Sequence, residues 1–257
     1  MKVLRFVAIT WWLLLKIRSR SAFDGPLTVV FPVFFATSIF MMFKTSDVAG
    51  PALLSAAIGA SAMGIWSAVN AGSVYVLQAE RGQGTLELMV AAPQPFSLLI
   101  VPMTLSMATI GVYSMFATLL WGWFAFGIEI EIADPAAFIV ALMVTVLAIA
   151  MLGALLAISS IRYREAWALG AAIGGPVLLL CGFIVAVKDL PEWVQPLSWA
   201  LAPTWGMSAI RAATEGRSPW GYIGACLAIA VAYGIVGELV SRWMLHSART
   251  HATLALN

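Results

Sequence analysis

Long apolar runs dominate the chain, and charged residues are largely confined to the short segments between the runs. The runs are continuous instead of alternating with a period of two, which is typical of membrane-spanning helices and not of barrel strands. A helix needs about 20 apolar residues to cross a bilayer. The sequence therefore predicts an all-α integral membrane protein, a single domain over residues 1–257 with six transmembrane helices. The predicted spans are residues 27–43, 52–78, 97–126, 135–161, 166–187 and 218–242.

The first segment, residues 1–22, has a different pattern. Its apolar core Phe6–Leu15 is too short to span, and the basic residues after it, without a small-residue cleavage site, argue against a signal peptide. At about 100° per residue, four basic side chains share an arc of roughly 60°; these are Lys2, Arg5, Lys16 and Arg20. We predict an interfacial amphipathic helix with its basic edge toward anionic headgroups. The alternative is an extension of the first span.

The composition agrees with a membrane protein. The chain is 62% hydrophobic and 10% charged, with a mean hydropathy of +0.96, whereas soluble domains carry about 25% charged residues. These values exclude an ordinary soluble enzyme and a disordered chain. The net charge of +2 without a clustered basic face predicts no nucleic-acid partner. The two cysteines, Cys181 and Cys226, lie in apolar runs and suggest no metal site.

The distribution of Lys and Arg predicts the orientation in the membrane. If both termini are cytoplasmic, ten of the 14 basic residues fall on the inner side and four on the outer side. The inner residues are Lys2, Arg5, Lys16, Arg18, Arg20, Arg81, Arg162, Arg164, Arg242 and Arg249. We therefore expect a multi-pass protein of the inner or plasma membrane, with a cytoplasmic tail at residues 243–257.

The inner segment 80–93 predicts a short helix. Thr85 is placed to cap it, and Glu87 lies in the first turn, where a carboxylate complements the helix dipole. Leu86, Met89 and Val90 fall on one face, and Pro93 ends the helix. Such a helix needs a surface against which to bury its apolar face, either the bilayer or a partner protein. The alternative is a surface turn between two spans.

The outer segment 188–217 is too apolar for a free loop and too broken by proline for a span. It holds Pro191, Pro196 and Pro203 together with Trp193, Trp199 and Trp205. Because tryptophan favours the headgroup level, we predict one or two short re-entrant helices packed on protein. The alternative is a tryptophan belt without a moving role.

Small residues recur every fourth position in three of the spans. They are Ala56, Ala60, Gly64, Ala68 and Gly72 in the second span, Gly170 and Gly174 in the fifth, and Gly224, Ala228 and Ala232 in the sixth. Small residues at this spacing let helices approach closely in lipid. The stripes predict either a subunit interface or packing within the chain.

Few residues offer chemistry inside the spans. Trp66, Ser67 and Asn70 are candidates for lining a substrate path, although an asparagine in a span also serves as interhelical glue. Glu238 is an intramembrane acid and hence a functional candidate, and Arg242 at i+4 offers it a simpler role as an ion-pair partner. The sequence has no phosphate-loop motif, so ATP would have to be handled by another polypeptide.

Two stretches resemble the membrane subunit of ABC type-2 exporters. The run from Glu80-Arg81 through Gly84-Thr85-Leu86-Glu87 to Pro93 is similar to that family's coupling-helix signature. The outer residues resemble its re-entrant segment; they are Gly182, Leu190-Pro191-Glu192-Trp193, Pro203-Thr204-Trp205, Arg211 and Gly216. Cys181 stands where serine is more usual. The resemblance covers the whole chain.

The resemblance implies that two permease subunits pair, as two copies of this chain or with a similar chain. Two cytoplasmic ATPase subunits would dock beneath them, bind ATP and Mg and hold the coupling helix in a cleft, so this chain itself would bind no cofactor and be no enzyme. The outer helices at Pro191, Trp193, Pro203, Trp205 and Arg211 would form a gate. The Gly-Thr-Leu-Glu form favours drug-like, antibiotic or lipidic amphiphiles as substrates. The alternatives are lipid-linked glycans, a secondary transporter, or a membrane-embedded enzyme of lipid metabolism.

Overall fold

The computed structural model describes residues 2–20, 24–45, 50–92, 94–128, 130–159, 166–184 and 187–251. Within these ranges the regular elements are all helical. The α-helices are α1 (Lys2–Ser19), α2 (Asp24–Thr45), α3 (Gly50–Gly82), α4 (Leu86–Ala91), α5 (Phe96–Phe126), α6 (Pro135–Ser159), α7 (Ala166–Leu180), α8 (Gln195–Trp199), α9 (Ala202–Thr214) and α10 (Trp220–His251), with a 3-10 turn at Val187–Asp189. Pro93, Arg162 and Arg164 lie outside the described residues.

Four described helices are long and apolar enough to cross a membrane. They are Leu53–Ser73 within α3, all of α5 and α6, and Trp220–Trp243 within α10. The helix at the first predicted span has a shorter apolar stretch, Pro32–Met42. Helix α7, at the fifth, has 15 residues, about 22 Å against a hydrocarbon core of about 30 Å. The chain is thus a multi-pass all-helical protein, and its six-span layout stays a prediction.

Helix α3 lies at the centre of the bundle, in contact with α2, α5, α6 and α7. Glycine permits close contacts there: a Cβ at Gly64 would lie 2.6 Å from the Ser114 hydroxyl oxygen, and one at Gly111 would lie 2.6 Å from the Ile65 Cα atom. Ala56 and Ala60 are buried on the same helix. Of the two alternatives for the stripe in the second span, the structure gives packing within the chain.

Three helix ends differ from the sequence-based boundaries. Helix α7 ends at Leu180, ahead of the predicted 187, because Gly182 turns the backbone with a left-handed φ of 74°. Helix α10 runs on through the predicted tail as far as His251. Helix α3 continues to Gly82, so Glu80 and Arg81 belong to its last turn and not to a loop.

Helix α1 packs on the bundle through Trp11 and Leu15. The Trp11 indole N–H donates to the Thr109 hydroxyl on α5 at 3.0 Å, and Leu15 is buried. Other apolar side chains of α1 are exposed, among them Leu4, Trp12 and Ile17. An amphipathic helix with one face on protein and apolar residues left outside suits a membrane surface, and that placement stays a prediction.

Candidate functional site

The link between α3 and α4 is a tight helix–helix turn built on one glycine. Gly84 has a left-handed φ of 70°. The Thr85 N–H donates to the Glu80 carbonyl at 3.0 Å, and the Gly84 N–H donates to the Arg81 carbonyl at 3.1 Å. This pair of bonds is a Schellman cap, in which a glycine at C′ satisfies the last carbonyls of a helix. This cap therefore explains why Gly84-Thr85 follows Glu80-Arg81 after two intervening residues.

The Thr85 side chain closes this turn. Its hydroxyl oxygen lies 3.1 Å from the Glu80 backbone carbonyl oxygen and within hydrogen-bond distance of the Glu80 carboxylate. Thr85 does stand at the N-cap position of α4, but its side chain makes no capping bond to that helix. The predicted capping role is therefore wrong. The backbone at Thr85 is helical, with φ −87° and ψ −14°, whereas a capping side chain needs an extended backbone to reach forward.

Helix α4 buries its apolar face against its own chain. Leu86 is buried, and Met89 packs on the same cluster, which combines residues from four other helices. The cluster members from those helices are Leu77 on α3, Phe96 and Ile100 on α5, Ala154, Ala157 and Ile158 on α6, and Val240 on α10. The described part of this face, Leu86 and Met89, is therefore covered by other helices of the same chain.

Leu88 is a large apolar side chain that α4 leaves outside. It is 70% exposed, at the middle of the helix and facing away from the buried Leu86. Sequence periodicity did not single it out, because Leu88 falls off the i, i+3, i+4 stripe. The side chains of Glu87 and Val90 lie outside the described part of the chain.

Arg211 links two elements at the end of the bundle that is predicted to be outer. Its guanidinium, on α9, donates to the Gly182 carbonyl at 2.6 Å, directly after α7. Burial lowers the pKa of Arg211, and the carboxylates of Glu215 and Asp189 partly offset this effect. On the other side of the same turn, a Cβ at Gly59 of α3 would overlap the Phe183 carbonyl oxygen. The three elements α3, α7 and α9 thus meet at one turn.

The predicted outer helices correspond to α8 and α9. The Trp205 indole N–H donates to the Trp199 carbonyl at 2.8 Å. The Tyr233 hydroxyl on α10 accepts a bond from the Ala202 N–H and donates to the Ala200 carbonyl, which fixes the α8–α9 turn to the last helix. Elsewhere in the segment Pro203 is buried, whereas Pro191 and Trp193 are exposed. An exposed tryptophan such as Trp193 suits a headgroup layer.

The candidates for lining a substrate path lie at the contact between α3 and α7. The buried Trp66 donates its indole N–H to the Gly174 carbonyl at 3.1 Å, and the Asn70 amide donates to the Gly170 carbonyl at 3.1 Å. The structure gives both residues the role of interhelical glue, and a Cβ at Gly174 would lie 2.5 Å from the Asn70 amide nitrogen, which favours glycine there. The Asn70 Oδ1 is buried and without a hydrogen-bond partner among the described residues, and Ser67 is half-buried.

Comparison with known proteins identifies the class. A family model described as ABC-2 type transporter matches residues 4–214, which is most of the chain. The chain therefore belongs to the ABC-2 type transporter family, and it is a transmembrane permease of an ABC transporter. Permeases of this family carry no ATPase site of their own, and the ATPase activity lies in a partner. No curated protein matches the sequence.

Proposed function

We propose that this permease is the membrane subunit of an ABC exporter and that α4 is its coupling helix. Two ATPase subunits would bind ATP and Mg in the cytoplasm, and two permease chains would pair above them. Both termini would face the cytoplasm of an inner or plasma membrane. The observation that carries the proposal is the division of α4 into two faces, with Leu86 buried among the ends of the other helices and Leu88 exposed.

The buried face explains how motion would travel. Interiors are close-packed, so a displacement of Leu86 and Met89 must move the neighbours that they touch. Helix α4 packs mainly on α3 and α5, and the cluster that Leu86 and Met89 join continues to residues of α6 and α10. A force on this six-residue helix would therefore pass to α3 and α5 and, through the shared cluster, to α6 and α10, which is what coupling to a distant ATPase requires.

The exposed face supplies the contact with the ATPase. A single exposed leucine on a short helix, entered through the charged residues Glu80 and Arg81, suits an apolar pocket rimmed by polar groups. Glu87 follows Leu86 in the sequence and belongs to the same proposed coupling segment. Pro93, close after α4, would limit the length of the helix.

Cross-linking to the ATPase tests this assignment. A Leu88→Cys variant of the tagged full chain, carrying a photoreactive label, should cross-link in native membranes to a soluble protein that contains a phosphate-loop motif. The matched control is Leu197→Cys, which is also exposed but lies on α8 at the outer segment. Equal cross-linking from both positions, or a permease that purifies without an ATPase, would remove the assignment and favour a secondary transporter.

The substrate path would open between α3 and α7. Trp66 and Asn70 hold these helices together by two hydrogen bonds, and the parting of the helices would expose an indole N–H, an amide and the hydroxyl of Ser67. Such a lining, mostly apolar with few polar groups, suits a drug-like, antibiotic or lipidic amphiphile. Stimulation of ATPase activity by a lipid-linked glycan and not by such amphiphiles would overturn the substrate class.

The outer segment would act as the gate. Arg211 fixes the turn after α7 to α9, and Tyr233 fixes the α8–α9 turn to α10. Pro203 and Trp205 lie in the first turn of α9, and Pro191 and Trp193 lie on the exposed turn before α8. Because these contacts join α7 to the last helix, a rearrangement of α7 would move the outer segment with it.

A further inference from the structure

A groove of about 510 Å³ lies between α6 and α10 and ends at a charged pair. Apolar side chains form its walls, and Glu238 and Arg242 lie at one end. The wall residues are Leu147 and Met151 from α6 and Leu227, Ala230, Val231, Ile235 and Leu239 from α10. The groove is open at Gly234: a Cβ there would have only the Met151 sulfur nearby, at 4.0 Å. The groove is therefore an apolar slot with one polar end.

The position of the groove along α10 matches one leaflet of a bilayer. Exposed tryptophans, Trp220 and Trp243, mark the two ends of the apolar part of this helix. They are about 34 Å apart along the axis, close to the hydrocarbon thickness of about 30 Å, and tryptophan favours both interfaces. Glu238 and Arg242 then lie at headgroup level, and Leu227 lies about 16 Å deeper, roughly the depth of one leaflet.

Arg242 has hydrogen-bond donors to spare, and Glu238 has acceptor sites to spare. The Arg242 Nε–H donates to one Glu238 carboxylate oxygen at 2.6 Å, and the Ser97 hydroxyl of α5 donates to the other. A guanidinium has five N–H donors, and a carboxylate has about four acceptor sites. The Arg242 side chain is 74% exposed. One end of the groove thus presents donors for an anion beside acceptors for a cation.

We propose that the groove binds one phospholipid that carries a zwitterionic phosphoethanolamine headgroup. An acyl chain would lie along Met151, Val231 and Ile235, the phosphate would meet Arg242, and the ammonium group would meet Glu238. The headgroup supplies one anion and one cation, the two charges that complement this pair. A choline group has no N–H to donate, and a glycerol headgroup has no cation for Glu238.

Native mass spectrometry of the purified full chain tests the proposal. The protein is offered equal amounts of phosphatidylethanolamine, phosphatidylcholine and phosphatidylglycerol with identical acyl chains. We expect retention of phosphatidylethanolamine to exceed that of the other two by about two- to fivefold, the size of one exposed ion pair. The double variant Glu238→Gln, Arg242→Gln should lose this preference. A double variant of a second exposed pair, Glu215→Gln, Arg217→Gln, should keep it.

A second pair of variants tests the apolar slot. Val231 and Val236 are both on α10 and are 55% and 45% exposed, and only Val231 lines the groove. Val231→Trp should fill the slot and reduce phosphatidylethanolamine retention to the level of the other lipids, and Val236→Trp should leave it unchanged. Misfolding would also reduce lipid retention. Normal gel-filtration behaviour of both variants is therefore the check on folding.

Three results would overturn the proposal. Equal retention of the three lipids by the unmodified chain would remove the headgroup assignment, and preference for phosphatidylglycerol would replace it by a simple anion site. A loss of dimer mass in Val231→Trp with unchanged lipid retention would make a second copy of the chain the occupant. Lipid binding is measured on the permease without any ATPase, so failure here and failure of the proposed coupling function are distinguishable.

Discussion

The Arg211 guanidinium donates a 2.6 Å hydrogen bond to the carbonyl of Gly182, 29 positions earlier in the chain. Gly182 is the left-handed residue that follows α7, so the bond fixes the place where that helix stops. It also connects α7 with α9, the longer helix of the outer segment. The geometry of the proposed gate therefore depends on one half-buried arginine.

Replacement of Arg211 by methionine should destabilise the protein. The substitution removes a charged donor and leaves the Gly182 carbonyl without its partner, which costs about 1.5–3 kcal/mol of unfolding free energy. Thermal unfolding in detergent measures the effect as a lowered Tm. The control is Arg217→Met, since Arg217 forms an exposed pair with Glu215 worth about 0–1 kcal/mol. Equal Tm values for the two variants would contradict the role of Arg211.

Gly84→Ala should disturb the α3–α4 turn. A left-handed backbone costs an alanine about 1–2 kcal/mol, and Gly84 has a φ of 70°. We expect weaker recovery of the ATPase subunit on co-purification, because α4 would no longer be held at its angle. The control lies two residues away: a Cβ at Gly82, a helical residue, meets nothing within 4 Å, so Gly82→Ala should behave as the unmodified chain does. A Gly84→Ala chain that recovers the ATPase normally would exclude this role for the turn.

Thr85→Val should uncouple ATP hydrolysis from transport. Valine keeps the shape of threonine but removes the hydroxyl that bonds Glu80, so the turn loses a link worth about 0.5–1.5 kcal/mol. Substrate-stimulated ATPase activity of the reconstituted complex measures coupling, and transport is followed in the same vesicles. Thr85→Ser retains the hydroxyl and should retain coupling. If valine and serine gave the same ratio of transport to hydrolysis, the hydroxyl bond would have no part in coupling.

Local signals in the sequence predicted the ends of α5 well. The helix starts directly after Pro95 and stops before Gly127, which has a left-handed φ of 66°, and proline and glycine are the residues that favour such ends. The end of α7 was predicted too late. Hydropathy continues past Leu180, and what stops the helix is a turn whose carbonyl bonds to Arg211, a contact between distant residues that a local pattern does not contain.

The sequence also could not predict which neighbours a helix face contacts in the fold. Periodicity placed Leu86 and Met89 on one side of α4, but it carries no information on what that side contacts. The short turn at Gly84 folds α4 back toward Leu77 and Phe96, so the chain covers the face itself. Leu88, outside the stripe, is exposed. The residues of the candidate site were therefore predictable as a segment, and their division into inner and outer faces required the fold.

Gly59→Ala should reveal how tightly the outer turn sits on α3. A Cβ at this position would overlap the backbone carbonyl of Phe183, and backbone cannot rotate away as a side chain can, so overpacking should cost about 1–3 kcal/mol. The comparison is Gly224→Ala on α10, where a Cβ meets nothing within 4 Å and better helix propensity should leave stability unchanged or raise it by up to about 1 kcal/mol. In thermal unfolding in detergent, the Tm of Gly59→Ala should therefore fall, and the Tm of Gly224→Ala should rise or stay unchanged. A Gly59→Ala chain as stable as Gly224→Ala would mean that the turn after α7 does not rest on α3, and the shared contact of α3, α7 and α9 would have to be abandoned.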